Sequence, residues 1–189
     1  MWHNSGFDPA IALATFLLAV SAMLVAMRMM RRQHDRRMRE LAIADDLLSE
    51  HFRAVRELND DAATPAPVRN LINLFSATVG RRDIAQLVAR RMETREPWAG
   101  ASETATDIVN RFQSAVRLLE QSRPELARKV AVAVDSGFKA MMLRWPETEY
   151  VALGLIVEHD AHAQSPEGGK LASVVSAAPR EFIKAMATA

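Results

Sequence analysis

The sequence predicts an all-α protein with a single N-terminal transmembrane helix, which continues into a long amphipathic stem and leads to a cytoplasmic bundle of short helices. Three observations carry this prediction. Residues 9–27 hold no charged side chain and are followed by a block of arginines. No Pro or Gly lies between Pro9 and Ala63. Beyond that point, apolar residues recur at helical spacing between Pro or Gly breaks. The expected division is a short extracytoplasmic tail (1–8), a transmembrane helix (9–30), a basic stem helix (31–60), a hinge (61–67) and a cytoplasmic helical domain (68–189).

About 20 helical residues at 1.5 Å each cross a hydrocarbon core of roughly 30 Å. The run from Pro9 to Met30 is long enough, and its polar interruptions are Thr15, Ser21 and the boundary residue Arg28. A cleaved signal peptide carries basic residues ahead of its apolar run, whereas Trp2, His3, Asn4 and Asp8 stand there in this chain. The basic residues Arg28, Arg31, Arg32, Arg36, Arg37 and Arg39 come after it, which places the N-terminus outside and the remainder in the cytoplasm. The same arginines are suited to lipid head groups, and Trp2 and Phe7 to the outer interface. A high Arg-to-Lys ratio in an Ala-rich chain fits a GC-rich bacterial genome, hence an inner membrane.

Within the membrane segment, Ala12, Thr15, Ala19, Ala22 and Ala26 follow a 3-4-3-4 spacing, a small-residue seam that admits close approach of a second helix. In the stem, Leu41, Leu48, Phe52, Val55 and Leu58 form an apolar stripe, with Ala44 and Leu47 beside it. Ala12 and Leu48 are 36 positions apart, about ten turns, so seam and stripe fall on one side of a straight helix. A neighbouring helix could run along both. Alternatively, the stem stripe packs on the protein's own cytoplasmic helices.

Asp60–Pro67, with two prolines, ends the stem. Val68, Leu71, Ile72 and Phe75 mark the next helix, closed by Gly80 at a C′-like position; Ile84, Leu87, Val88 and Met92 mark its hairpin partner. After a loop at 97–101, Thr104 to Asp107 starts a helix bearing Ile108, Phe112, Val116 and Leu119. Ser122-Arg123-Pro124-Glu125 reads as a capping box with Pro in the first turn, opening a helix that Pro146 ends. Glu147–Gln164, Lys170–Ala177 and a turn or two after Pro179 complete the bundle. Val130–Val134 and Tyr150–Val157 are apolar runs that fit strand as well as helix by pattern; the preceding cap and the lack of a turn signal favour helix.

The chemistry that the composition excludes is considerable. With no Cys there is no disulfide, thiolate metal site or cysteine nucleophile. Residues 40–189 hold 18 of the 24 basic and 21 of the 23 acidic residues, so the domain is mildly acidic and offers nucleic acid no global basic surface. Glu158, His159, Asp160 and His162 have metal-ligand chemistry, yet only Glu158 and His162 share a helical face and the spacing fits no zinc signature. Asp45, Asp46 and Glu50 balance nearby arginines. Asp135-Ser136-Gly137 lacks the flanking glycines of a nucleophile elbow, and Gly168-Gly169 lacks the spacing and Lys of a phosphate loop. Trp98, Trp145 and Tyr150 stand near prolines and read as packed junction residues. Arg81, Arg82, Arg90, Arg91 and Arg95 outline a local basic face. No catalytic set, cofactor site, metal site or small-molecule substrate emerges.

The expectation is therefore a non-enzymatic accessory, scaffold or assembly subunit of an inner-membrane complex. Its expected partners are membrane lipid and other subunits or a second copy of itself. The alternative is a membrane-tethered regulatory domain that binds a soluble protein or nucleic acid.

Overall fold

A computed structural model describes residues 9–94 and 103–148. They form five helices and no strand: α1 (Pro9–Asp60), α2 (Ala66–Thr78), α3 (Arg82–Thr94), α4 (Glu103–Ser122) and α5 (Pro124–Arg144). Val130–Val134 is helical, inside α5. Tyr150–Val157 and the later expected helices lie outside the described residues; Glu147 and Thr148 belong to a turn after α5.

The chain divides into two compact units, Met1–Glu40 and Leu41–Ala189. In the first, α1 carries an 18-residue apolar window long enough to cross a membrane, and none of that window is buried. A core helix of a soluble protein would be covered. Thr15 satisfies its hydroxyl within the helix by donating to the Ile11 carbonyl at 3.0 Å, as an isolated polar group in an apolar segment must. Glu40 is largely buried and accepts from Arg36 at 2.7 Å and Arg37 at 3.4 Å.

The second unit begins twenty residues before the expected hinge, so the last five turns of α1 are part of the helical domain. Two apolar clusters build its core. One joins Ala54, Val55 and Leu58 of α1 to Val68, Leu71 and Ile72 of α2, Val109, Phe112, Val116 and Leu119 of α4, and Leu126, Val130 and Ala133 of α5. The other joins Ala44 of α1 to Phe75 and Val79, to Ile84, Ala85, Val88 and Ala89 of α3, and to Phe138, Met141, Met142 and Leu143 of α5. The expected α2–α3 hairpin is thus opened: α3 packs chiefly on α5, and only the C-terminal end of α2 joins them.

Local chemistry sets each helix end. The Asp61 carboxylate accepts from the Ala63 N–H at 2.8 Å and the Asp61 carbonyl from the Thr64 N–H at 3.0 Å, so the hinge is a hydrogen-bonded turn. Pro65 precedes α2 with extended geometry, φ −62° and ψ 143°. Gly80 does not adopt a left-handed φ; α2 ends with Val79 still right-handed and the Thr78 hydroxyl donating to the Phe75 carbonyl at 2.8 Å. The capping box at Ser122 is not formed either. Its hydroxyl donates back to Leu118 at 2.7 Å, and the residue before α5 is Arg123, without a side-chain cap. Pro124 is the reason: its ring disfavours helical geometry at the preceding residue, leaving Arg123 at φ −146°, ψ 71°, a one-residue break between α4 and α5. Pro146 acts likewise on Trp145, which is extended at φ −115°, ψ 126° and ends α5.

Candidate functional site

The apolar segment of α1 presents the described part of its small-residue seam openly, the side chain of Ala12 lying outside the described residues. Thr15, Ala19, Ala22 and Ala26 are all exposed, as are Arg28, Arg31, Arg32, Arg36 and Arg39, while Arg37 is half-buried. The stem stripe behaves differently. Val55 and Leu58 are in the core, Leu41 and Leu48 are half-buried, and Phe52 alone stays 49% exposed. The stripe is therefore taken up by the chain's own helices, the second of the two readings its pattern allowed. Asp45, Asp46 and Glu50 are exposed and assemble no site.

The domain's most constrained polar residue is one the sequence pattern did not single out. His51 of α1 is fully buried between the two apolar clusters, where α1, α2 and α5 meet. Its Nδ1 lies 2.6 Å from the Ala133 carbonyl oxygen and must donate to it. Its Nε2 lies 2.9 Å from the Ser76 hydroxyl, which is also 2.8 Å from the Ile72 carbonyl. One hydroxyl proton cannot serve both acceptors. A neutral ring takes that proton on Nε2; a protonated ring donates to Ser76 and turns the hydroxyl to Ile72. Burial lowers the His51 pKa below its usual value, and the Ala133 bond opposes that only in part, so the neutral form is the resting one. Phe75 and Phe52 meet the ring edge-on, with centroids 5.3 and 5.0 Å away.

Gly137 makes room for this ring. A Cβ there would stand 2.6 Å from His51 Nδ1 and 2.8 Å from Phe75 Cε1. The glycine of Asp135-Ser136-Gly137 thus serves helix packing, and buried Ser136 donates to Val132 at 2.6 Å while Asp135 pairs with Lys139 at 2.9 Å. In hindsight, a His among apolar stem positions, with a Gly inside a helical run far downstream, was the available signal. Nothing in either local pattern says that they meet.

The basic face on α3 is largely neutralised at its start. Arg81 forks onto Asp83 at 3.2 and 2.5 Å, and Arg82 pairs with Glu147. Arg82 and Arg144 also lie 5.9 and 5.8 Å from the Trp145 ring centroid, making Trp145 a packed junction. Arg90 is exposed and Arg91 half-buried, whereas Arg95, Trp98 and Tyr150 lie outside the described residues. Glu158, His159, Asp160, His162, Gly168 and Gly169 lie outside them too. Among the described residues, no group of three or more metal-ligating side chains comes together. Compared with known protein families, with characterised proteins and with solved structures, the chain matches none of them.

Proposed function

We propose that this protein is a non-enzymatic accessory, scaffold or assembly subunit of a larger complex in a bacterial inner membrane. Residues 9–30 span the bilayer with the N-terminus outside, and the helical domain lies in the cytoplasm. One observation carries the reading: the apolar part of α1 is left uncovered by the described residues, with Thr15, Ala19, Ala22 and Ala26 of the seam exposed, whereas the apolar part of the stem is spent on the domain core. A helix that approaches the anchor therefore meets Thr15, Ala19, Ala22 and Ala26, where small side chains allow backbones to come close.

The test is affinity purification of the full chain from native membranes in mild detergent, beside an Ala19→Leu/Ala22→Leu variant. Partner subunits, or a second copy, are expected with the wild type and in reduced yield with the variant at equal insertion. A monomer that recovers no partner sinks the proposal; equal recovery moves the interface out of the membrane.

The alternative, a tethered regulatory domain that docks a soluble protein, draws support from Leu74 and Leu118, which are 49% and 60% exposed. The acidic balance of residues 40–189 argues against nucleic acid. To separate the readings, a soluble variant must begin at Leu41, because a start at residue 61 removes Ala54, Val55, Leu58 and His51 from the core. Retained binding by a folded 41–189 variant supports docking through the domain.

A further inference from the structure

The six juxtamembrane arginines are not equivalent. Arg36 and Arg37 are engaged by Glu40, and the Arg39 Nε donates to the Asp35 carbonyl at 3.2 Å. Arg28, Arg31 and Arg32 form no ion pair among the described residues, although Asp35 is one turn beyond Arg31 and Arg32. They are exposed and stand at i, i+3 and i+4, so three guanidinium groups share one helix face.

Depth distinguishes them as well. The uncharged run ends at Met27, which puts Arg28 at the edge of the hydrocarbon. Arg32 is then about 6 Å further along the axis and Arg39 about 16 Å. A head-group layer is only roughly 5–8 Å thick on each side of the core. Arg28, Arg31 and Arg32 thus fall within it, and Arg39, three turns from Arg28 on the same face, falls beyond it. A guanidinium is weakly hydrated and presents paired N–H groups that match phosphate oxygens.

The geometry points to Arg28, Arg31 and Arg32 as a binding site for the head groups of anionic phospholipids, selective over zwitterionic ones. This rests on the reading that residues 9–30 cross a bilayer. It goes beyond topology, since orientation requires only positive charge near the membrane and would use all six arginines alike.

The experiment reconstitutes the full chain in phosphatidylcholine bilayers and measures, by electron paramagnetic resonance, how spin-labelled phosphatidylglycerol and phosphatidylcholine partition to its surface. Wild type should prefer phosphatidylglycerol. Arg28→Gln/Arg31→Gln/Arg32→Gln should reduce that preference at least fivefold, the equivalent of about 1 kcal/mol, the usual worth of one basic residue near an anionic surface. Arg39→Gln and Arg36→Gln should each stay within twofold of wild type, and replacing the three arginines by Lys should retain much of the preference.

Absence of preference in the wild type overturns the inference, and so does a loss with Arg39→Gln equal to that of the triple variant. Displacement of labelled lipid by a 20-base-pair DNA duplex in 0.15 M salt would reassign the site to nucleic acid phosphates. Extraction of the chain from vesicles by alkaline carbonate would instead refute the anchor itself, an outcome distinct from an inserted chain without lipid preference.

Discussion

Replacing Gly137 by Ala tests the packing at the centre of the domain. In an exposed helix interior this change is stabilising, by roughly 0.5–1 kcal/mol. Here the added methyl would lie 2.6 Å from His51 Nδ1 and 2.8 Å from Phe75 Cε1. Neither atom is the loose end of a side chain: the ring is held at both nitrogens and Phe75 is 4% exposed. Carbon–nitrogen contact needs about 3.5 Å, so the ring and α5 must separate by close to 1 Å. That stretches the 2.6 Å bond to Ala133 beyond hydrogen-bonding range. Overpacking costs ~1–3 kcal/mol and a broken buried hydrogen bond a further ~1–3 kcal/mol. After the helix-propensity gain, a net loss of about 2–4 kcal/mol remains. Circular dichroism melts of the detergent-solubilised protein should show a Tm lower by about 8–15 °C, at several degrees per kcal/mol for a domain of this size. In a His51→Ala background the same substitution should cost clearly less, because one of its two obstacles is gone and Phe75 can give way into the space the ring leaves. A single Gly137→Ala variant as stable as wild type would refute the account of the ring and its cradle.

Three further outcomes follow from the same geometry. His51 has a folded-state pKa below its ordinary 6.5, so its contribution is complete above about pH 6.5 and is lost as pH falls from there toward the folded-state value. Tm should drop between pH 7.5 and 5.5, and a His51→Gln variant should show a flatter profile. Leu58→Ala, at a side chain 1% exposed, should destabilise by about 2–5 kcal/mol in urea titrations, while Leu118→Ala, at 60% exposure, should stay within about 0.5 kcal/mol. Phe112→Ala, also 1% exposed, should cost ~3–5 kcal/mol by the same measurement.

Helix identity was legible in the sequence because apolar period and proline placement are local properties. The faces Val68/Leu71/Ile72/Phe75 and Phe112/Val116/Leu119 are buried as their spacing implies, whereas Ile108, expected on the second face, is 42% exposed. Helix ends were harder to read, since the same residues allow several local solutions. Ser122 can cap forward or bond back to Leu118, and Pro124 decided between them. The role of the stem was open for another reason: an amphipathic stripe specifies that something covers it, not what does. Least legible was the His51 site, whose partners lie 25 and 82 positions away on other helices.

That separation bears on how the chain is made. Leu41–Asp60 leaves the ribosome directly behind the first unit, yet the α5 residues that complete its core arrive only with Ala133 and Gly137. At roughly 5–20 residues per second, the intervening stretch takes several seconds to synthesise. Through that interval the stem's leucines, valine and alanines have only α2, and then α3 and α4, to shelter them. On the proposed reading, the newly inserted protein would be a membrane-bound chain with an unfinished domain, and a holding chaperone or an early-arriving subunit would then have its longest opportunity to engage α1.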